Sequence, residues 1–219
     1  MAGLIGKDDL REMDRSFRAR LTGTVGVLLF TSGSGGPYCA QARQLLEEVA
    51  SLSEKIRLEV LDVGEARERA VGLAVEETPT IVVVAANGAN LYYVGVPAGH
   101  QLRCLVEDVI DASRGRAEID GEARRIIGRV DRETVIRVFV TPFCPYSPRV
   151  VRAAHRFALE NPRIRALMVE SLEFPELAAR YGVVGVPRTV INEGPGFDGA
   201  PSEREFAERV LRASIDGSR

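Results

Sequence analysis

Two four-residue runs in this chain have the residue types and spacing of thiol chemistry. Cys144-Pro-Tyr-Ser147 sets a cysteine three residues ahead of a serine, and Gly36-Pro-Tyr-Cys39 sets a glycine three ahead of a cysteine. Each follows a short apolar run (residues 25–30 and 135–140) and leads into a helical pattern. A cysteine where a strand gives way to a helix lies at the positive end of the helix dipole, among N–H groups with no partner inside the helix. Those groups stabilise a thiolate, the form that attacks a disulfide. Cys144 is therefore a candidate nucleophile, and the competing reading is a buried structural cysteine. Pro145 is expected to open the helix, since its missing N–H is harmless in a first turn. Ser147 stands where a second thiol would resolve a mixed disulfide, which a hydroxyl does not do. Cys144 would then work alone, with glutathione, another outside thiol or another cysteine of the chain completing the cycle. Cys39 is the mirror case. Gly36 holds its attacking position, and the remaining thiol reads as an inert remnant.

Other residues bear on such a site. Pro79 and Pro187 follow Thr78 and Val186 and open apolar runs, so each is a candidate cis-proline or an ordinary strand-initiating trans one. A cis-proline beside a thiol would present the backbone of Val186 to an extended substrate segment. Arg149 and Arg188 flank the presumed site and are either carboxylate holders or surface residues. His155 lies eleven residues past Cys144 along one helix, about 16 Å at ~1.5 Å per residue, too far to act as its base. His100 reads as a surface residue and Cys104 as core packing. With two histidines and three scattered cysteines, no metal site is expected.

The elements that must position these residues come in one order, twice. A charged helix (residues 7–20) precedes a strand, a helix from Pro37, a strand at 56–63, a short charged helix at 64–73 and a strand at 79–84. An Asn87-Gly88 turn, a returning strand at 91–95 and a closing amphipathic helix follow. After a break at residues 112–116 the series restarts. It has a helix at 122–130, strands at 135–140, 164–169 and 187–191, helices after Cys144 and at 174–181, a turn at 194–196 and a last helix at 203–213. Gly36 and Cys144 stand 108 residues apart, as do Thr78 and Val186. Two landmarks at one spacing point to an internal duplication. The order implies α/β units, each with a parallel strand pair and an antiparallel hairpin, over residues 1–115 and 116–219.

Composition sets bounds. Twenty-nine basic against 31 acidic residues leave a net charge of −2, so no strong field draws nucleic acid or anionic membrane. No apolar run is of signal-peptide or membrane-span length, and a reducing, cytoplasmic location is the expectation.

Residues 138–148 (Val-Phe-Val-Thr-Pro-Phe-Cys-Pro-Tyr-Ser-Pro), 181–187 (Tyr-Gly-Val-Val-Gly-Val-Pro) and 94–99 (Val-Gly-Val-Pro-Ala-Gly) carry a family resemblance. The chain resembles the protein disulfide oxidoreductases, also described as glutaredoxin-like proteins, which contain two tandem thioredoxin folds. The likeness implies two thioredoxin-like units, each a mixed central sheet flanked by helices. In that family each half carries Cys-x-x-Cys, and the C-terminal motif is the main redox site. Here neither motif is complete, and Cys-Pro-Tyr-Ser is similar to a monothiol glutaredoxin motif. The resemblance therefore implies exchange on protein or glutathione mixed disulfides through Cys144. Pro145, Tyr146, Val186, Pro187, Thr78 and Pro79 would be substrate-binding positions, and glutathione or another thiol would be co-substrate, with no tightly bound cofactor. Two alternatives stand beside it: a non-catalytic binding or scaffold protein, and a glutathione-dependent iron–sulfur carrier. The flavin-linked alkyl hydroperoxide reductases also have a duplicated thioredoxin-like portion, and this chain is too short to include their flavin domains.

Overall fold

The apolar runs form strands and the striped segments form helices in the expected order. The computed structural model describes residues 3–33 and 36–216. It begins with α1 (Lys7–Arg20), β1 (Val25–Thr31), α2 (Pro37–Ala50), β2 (Ile56–Asp62), α3 (Arg67–Gly72), β3 (Thr80–Val84) and β4 (Asn90–Val94). A 3-10 turn (Gly99–Gln101) leads into α4 (Leu102–Arg114). The second series is α5 (Gly121–Ile127), β5 (Thr134–Val140), α6 (Ser147–Glu160), β6 (Ile164–Glu170), α7 (Pro175–Arg180), β7 (Arg188–Ile191), β8 (Phe197–Asp198) and α8 (Glu203–Asp216). Residues 34–35 of the first motif loop lie outside the described residues, as do the chain ends, 1–2 and 217–219.

The strands pair by one scheme in both series. β1 is parallel to β2 and antiparallel to β3, which is antiparallel to β4. β5 is likewise parallel to β6 and antiparallel to β7, which is antiparallel to β8. The sets meet where β4 runs parallel to β6, with residues 91–94 opposite 166–169. The result is one eight-stranded sheet in the order β2-β1-β3-β4-β6-β5-β7-β8. Alternate strand residues face opposite sides. Val27, Leu29, Ile81, Tyr93, Ile136, Val138 and Met168 pack with α2, α4 and α6 on one side; Phe30, Val82, Phe139 and Val169 pack on the other. Gly115 (φ +62°) ends α4 in a left-handed cap, at the break expected between the halves.

The halves also share a buried polar seam where α4 meets α6. Arg152 pairs with Asp108 and reaches Asp111 at 2.5 Å, and the Tyr93 hydroxyl donates to Asp108. His155 Nε2 donates to Tyr92 O at 3.2 Å, and its Nδ1 lies 2.5 Å from Asp108 Oδ2. His155 is thus a satisfied core residue.

One expectation needs correction. Pro145 does not open α6, which starts two residues later at Ser147 with Tyr146 as N-cap. The turn after β5 closes at Cys144, whose N–H reaches Thr141 O at 3.4 Å, and residues 145–146 bend before the helix begins. Pro148 takes the first-turn place instead. In the first half Pro37 does open α2, with Gly36 as N-cap.

Candidate active site

The strand directions bring both motifs to one edge of the sheet. β1, β4, β5 and β6 run the same way, and β3 and β7 run against them. The loops after β1 and β5 therefore share an edge with the turns into β3 and β7. Four strand spacings separate β1 from β5, about 19 Å at ~4.8 Å each.

At the second motif, Cys144 is half-buried and its Sγ–H donates to Val186 O at 3.5 Å. The Val186–Pro187 peptide is cis, as is Thr78–Pro79. Pro187 is buried and Val186 half-buried, so the chain folds the proline inward and leaves the preceding carbonyl at the sulfur. Apolar side chains stand open around them: Phe143 is 78% exposed, Tyr146 69% and Val184 93%. Pro145 is exposed as well. Ser147 is fully buried, and its hydroxyl has no protein partner. Arg188 is engaged elsewhere, with Asp198 at 3.1 Å and Tyr181 O at 3.3 Å. Arg149 is exposed, and its charge acts on Glu205 of α8.

The first motif has the same frame without an attacking group. Gly36 is extended (φ −62°, ψ 178°), and a Cβ there would meet nothing within 4 Å. Cys39 is buried in the first turn of α2, with its N–H on Gly36 O at 3.0 Å. Tyr38 is exposed, Thr78 half-buried and Pro79 buried. Cys104 packs in the core, its Sγ 3.6 Å from Gln101 Oε1 and 3.7 Å from Pro148 O. Burial pushes its thiol up to about 12, which keeps it protonated and unreactive. His100 is exposed. Among the described residues no three His, Cys, Asp or Glu side chains are placed to hold a metal ion.

Sequence reasoning missed Glu170 and Glu173, which lie at the same edge. Glu170 ends β6 directly opposite Val140 at the end of β5, and Glu173 accepts from the Val96 N–H. The available signal was indirect. Gly95 and Gly99 bracket a segment that takes positive φ at both ends (+99° and +56°), the mark of a close backbone approach.

This geometry has known counterparts. A family profile described as a thioredoxin domain matches residues 134–211. The solved structure of a protein disulfide oxidoreductase from Aeropyrum pernix superposes with a TM-score of 0.88 at 28% identity, covering 96% of this chain and 94% of that one. A cysteine-to-alanine mutant of the alkylhydroperoxide reductase AhpF from Enterococcus faecalis gives 0.86 at 27% identity, over 94% of this chain and 99% of that chain. The chain spans only 31–33% of the length of the curated relatives that match 80–84% of it. Over 78 residues it is 33% identical to a thioredoxin of Methanocaldococcus jannaschii, covering 35% of this chain and 92% of that protein. With nearly a whole thioredoxin matched and a protein disulfide oxidoreductase superposing along its length, this chain belongs to the thioredoxin-like oxidoreductase family.

Proposed function

We propose that the chain is a thiol–disulfide oxidoreductase module in which Cys144 is the single attacking thiol, acting on protein or glutathione mixed disulfides. One observation carries this reading. A half-buried Cys144 holds its sulfur 3.5 Å from the Val186 carbonyl, while residue 147 offers a buried hydroxyl in place of a second thiol. The Cys144 thiolate attacks one sulfur of the client disulfide. A new S–S bond forms to that sulfur, and the other leaves as a thiolate and takes a proton. Glutathione or a similar thiol then attacks the mixed disulfide and releases Cys144. For a glutathionylated client the balance is one client thiol freed and one glutathione disulfide formed. Glutathione is thus a co-substrate.

Phe143, Tyr146 and Val184 supply an apolar rim for a protein client, and the Val186 backbone is placed to pair with an extended segment. Pro145 and the buried Pro187 shape this platform. The first unit, with Gly36 in place of an attacking thiol, serves as support or as a substrate-binding surface around Tyr38, Thr78 and Pro79. The reading includes two units, 1–115 and 116–219, derived by duplication; the shared pairing scheme and the common 108-residue offset support it. A reducing cytoplasm is the compartment that suits a free attacking thiol. No helix among the described residues is long and apolar enough to cross a membrane.

The test is to treat the reduced protein with glutathione disulfide and map the adduct by mass spectrometry, then follow turnover of a glutathionylated peptide with glutathione present. We expect one glutathionyl group, on Cys144, and no turnover by Cys144→Ala. An adduct confined to Cys39 or Cys104, or turnover that survives Cys144→Ala, would overturn the assignment.

A further inference from the structure

Residues 95–101 form a strap from the first half that crosses the sheet edge between the end of β4 and the start of α4. At one end the Val96 N–H lies 3.0 and 3.2 Å from the two carboxylate oxygens of Glu173. Gly95 approaches so closely that a Cβ there would lie 2.8 Å from Glu170 Cβ and 3.0 Å from Glu173 Oε2. At the other end the His100 N–H donates to Pro142 O at 3.0 Å. A Cβ on Gly99 would stand 2.5 Å from that same carbonyl. Pro142 is two residues from Cys144. The two residues are also tied together, since the backbone N–H of Glu173 donates to Glu170 Oε2 at 2.6 Å. Glu170 is 1% exposed, and its Oε1 has no protein partner.

We propose that Glu170 and Glu173 are a positioning pair that sets the Cys144 loop through this strap, so that exchange at Cys144 depends on the charge they carry. The proposal rests on the reading of Cys144 as the attacking thiol. Two neighbouring carboxylates in a partly buried place resist double ionisation. Burial pushes Glu173 up to about 7 against the opposing pull of the Val96 N–H, with the Glu170 charge adding to the rise, and burial also raises Glu170. The groups facing the pair are few. From β4 and the strap it meets the uncharged backbone of Gly95 and Val96; from β5 it meets Val140. From α7, the Glu176 charge acts on Glu77, ahead of Pro79. With one proton held, Glu173 accepts from Val96 and the strap is seated. Its loss as pH rises makes Glu173 a charged acceptor, which strengthens its bond to the Val96 N–H and tightens the hold on Pro142.

Two readouts on the full chain test this, each followed from pH 5 to 9. One is the amide shift of Val96 by NMR. The other is the rate at which Cys144 forms an adduct with an aromatic disulfide probe. Glu173→Gln keeps an acceptor for Val96 and cannot ionise. In the unsubstituted protein we expect the Val96 signal to titrate near neutral pH, and in Glu173→Gln to stay flat. The ratio of adduct rates at pH 8 and pH 6 should differ between the two proteins by about fivefold or more, the lower end of ordinary coupling between sites. Glu170→Gln should move the Val96 midpoint down, because the neighbouring charge is gone. A Val96 signal that does not titrate overturns the pair. A titrating Val96 with identical rate profiles in both proteins overturns the link to Cys144. A titrating Val96 with Cys144 inert at every pH overturns the exchange reading, and the link with it, while leaving the pair itself in place.

Discussion

At position 147 a serine hydroxyl sits fully buried without a protein partner, where a thiol would sit without a hydrogen-bond demand. Ser147→Cys should therefore fold, and mild oxidation should join it to Cys144. Thiol counting and peptide mapping check this: two thiols should disappear together, and Cys144→Ala should prevent the loss. Persistence of all thiols under oxidation would mean that the buried position cannot reach the sulfur. Gly36 has the opposite environment, open space and an extended backbone. Gly36→Cys should change stability by less than about 0.5 kcal/mol, as surface substitutions usually do, with urea unfolding as the measure. A larger loss would show that the loop needs glycine for a reason other than space. The residue types alone pointed to Cys144, Ser147, Gly36 and Cys39, because a motif at a strand–helix junction is a local pattern. They did not reveal that Arg188 is already engaged by Asp198, since that pairing depends on the β7–β8 turn.

Among the elements, the strap and the α4–α6 seam govern how the second site is held. Gly99 has positive φ and faces the Pro142 carbonyl. Gly99→Ala brings both backbone strain and a clash, and should cost about 1–3 kcal/mol. It should also slow adduct formation at Cys144, because the loop must move to make room. Urea unfolding together with a rate measurement separates the two effects, and an unchanged rate would show that the strap does not position the loop. In the seam, Arg152 is nearly buried between Asp108 and Asp111. Removing it leaves buried carboxylates without their cation, so Arg152→Ala should cost about 3–5 kcal/mol. A loss below about 1 kcal/mol in equilibrium unfolding would mean that water or a shared proton replaces the guanidinium. Helical stripes predicted both α4 and α6. Their polar residues gave no sign of facing one another, because Asp108 and Arg152 lie in different halves of the chain.

Across the molecule, buried groups shape stability against pH in opposite directions. Burial pushes Glu173 up to about 7 from an ordinary 4.5. The folded state therefore holds a proton that the unfolded state gives up, and stability falls as pH rises from 4.5 through 7. Burial, with the Arg152 charge adding, pushes His155 down to about 3 from 6.5. The unfolded state then takes a proton the folded state refuses, and stability falls as pH drops from 6.5 toward 3. Burial pushes Asp111 up as well, to about 6 from 3.8, so its loss adds to that of Glu173 while His155 opposes both, and urea unfolding should show stability highest between 3.8 and 4.5 and falling from there through 7. Glu173→Gln should remove the loss on the alkaline side and keep the one on the acid side. An unchanged alkaline limb would place the responsible group elsewhere.

The features legible in the chain alone are local or periodic. They are the strand and helix order, the repeat at 108 residues, both prolines ahead of buried strands, the candidate thiol and the lack of a second thiol three residues on. Each rests on neighbours in the chain, where side-chain type and backbone preference act directly. The remaining features arise from packing at a distance. The β4–β6 pairing made one sheet of two halves and set both motifs on one edge. It brought Glu173 beneath Val96, 77 residues away, and His155 against Asp108, 47 away. Such contacts leave little trace in a single sequence, because a carboxylate or a glycine looks the same whether it faces water or a strand from the other half.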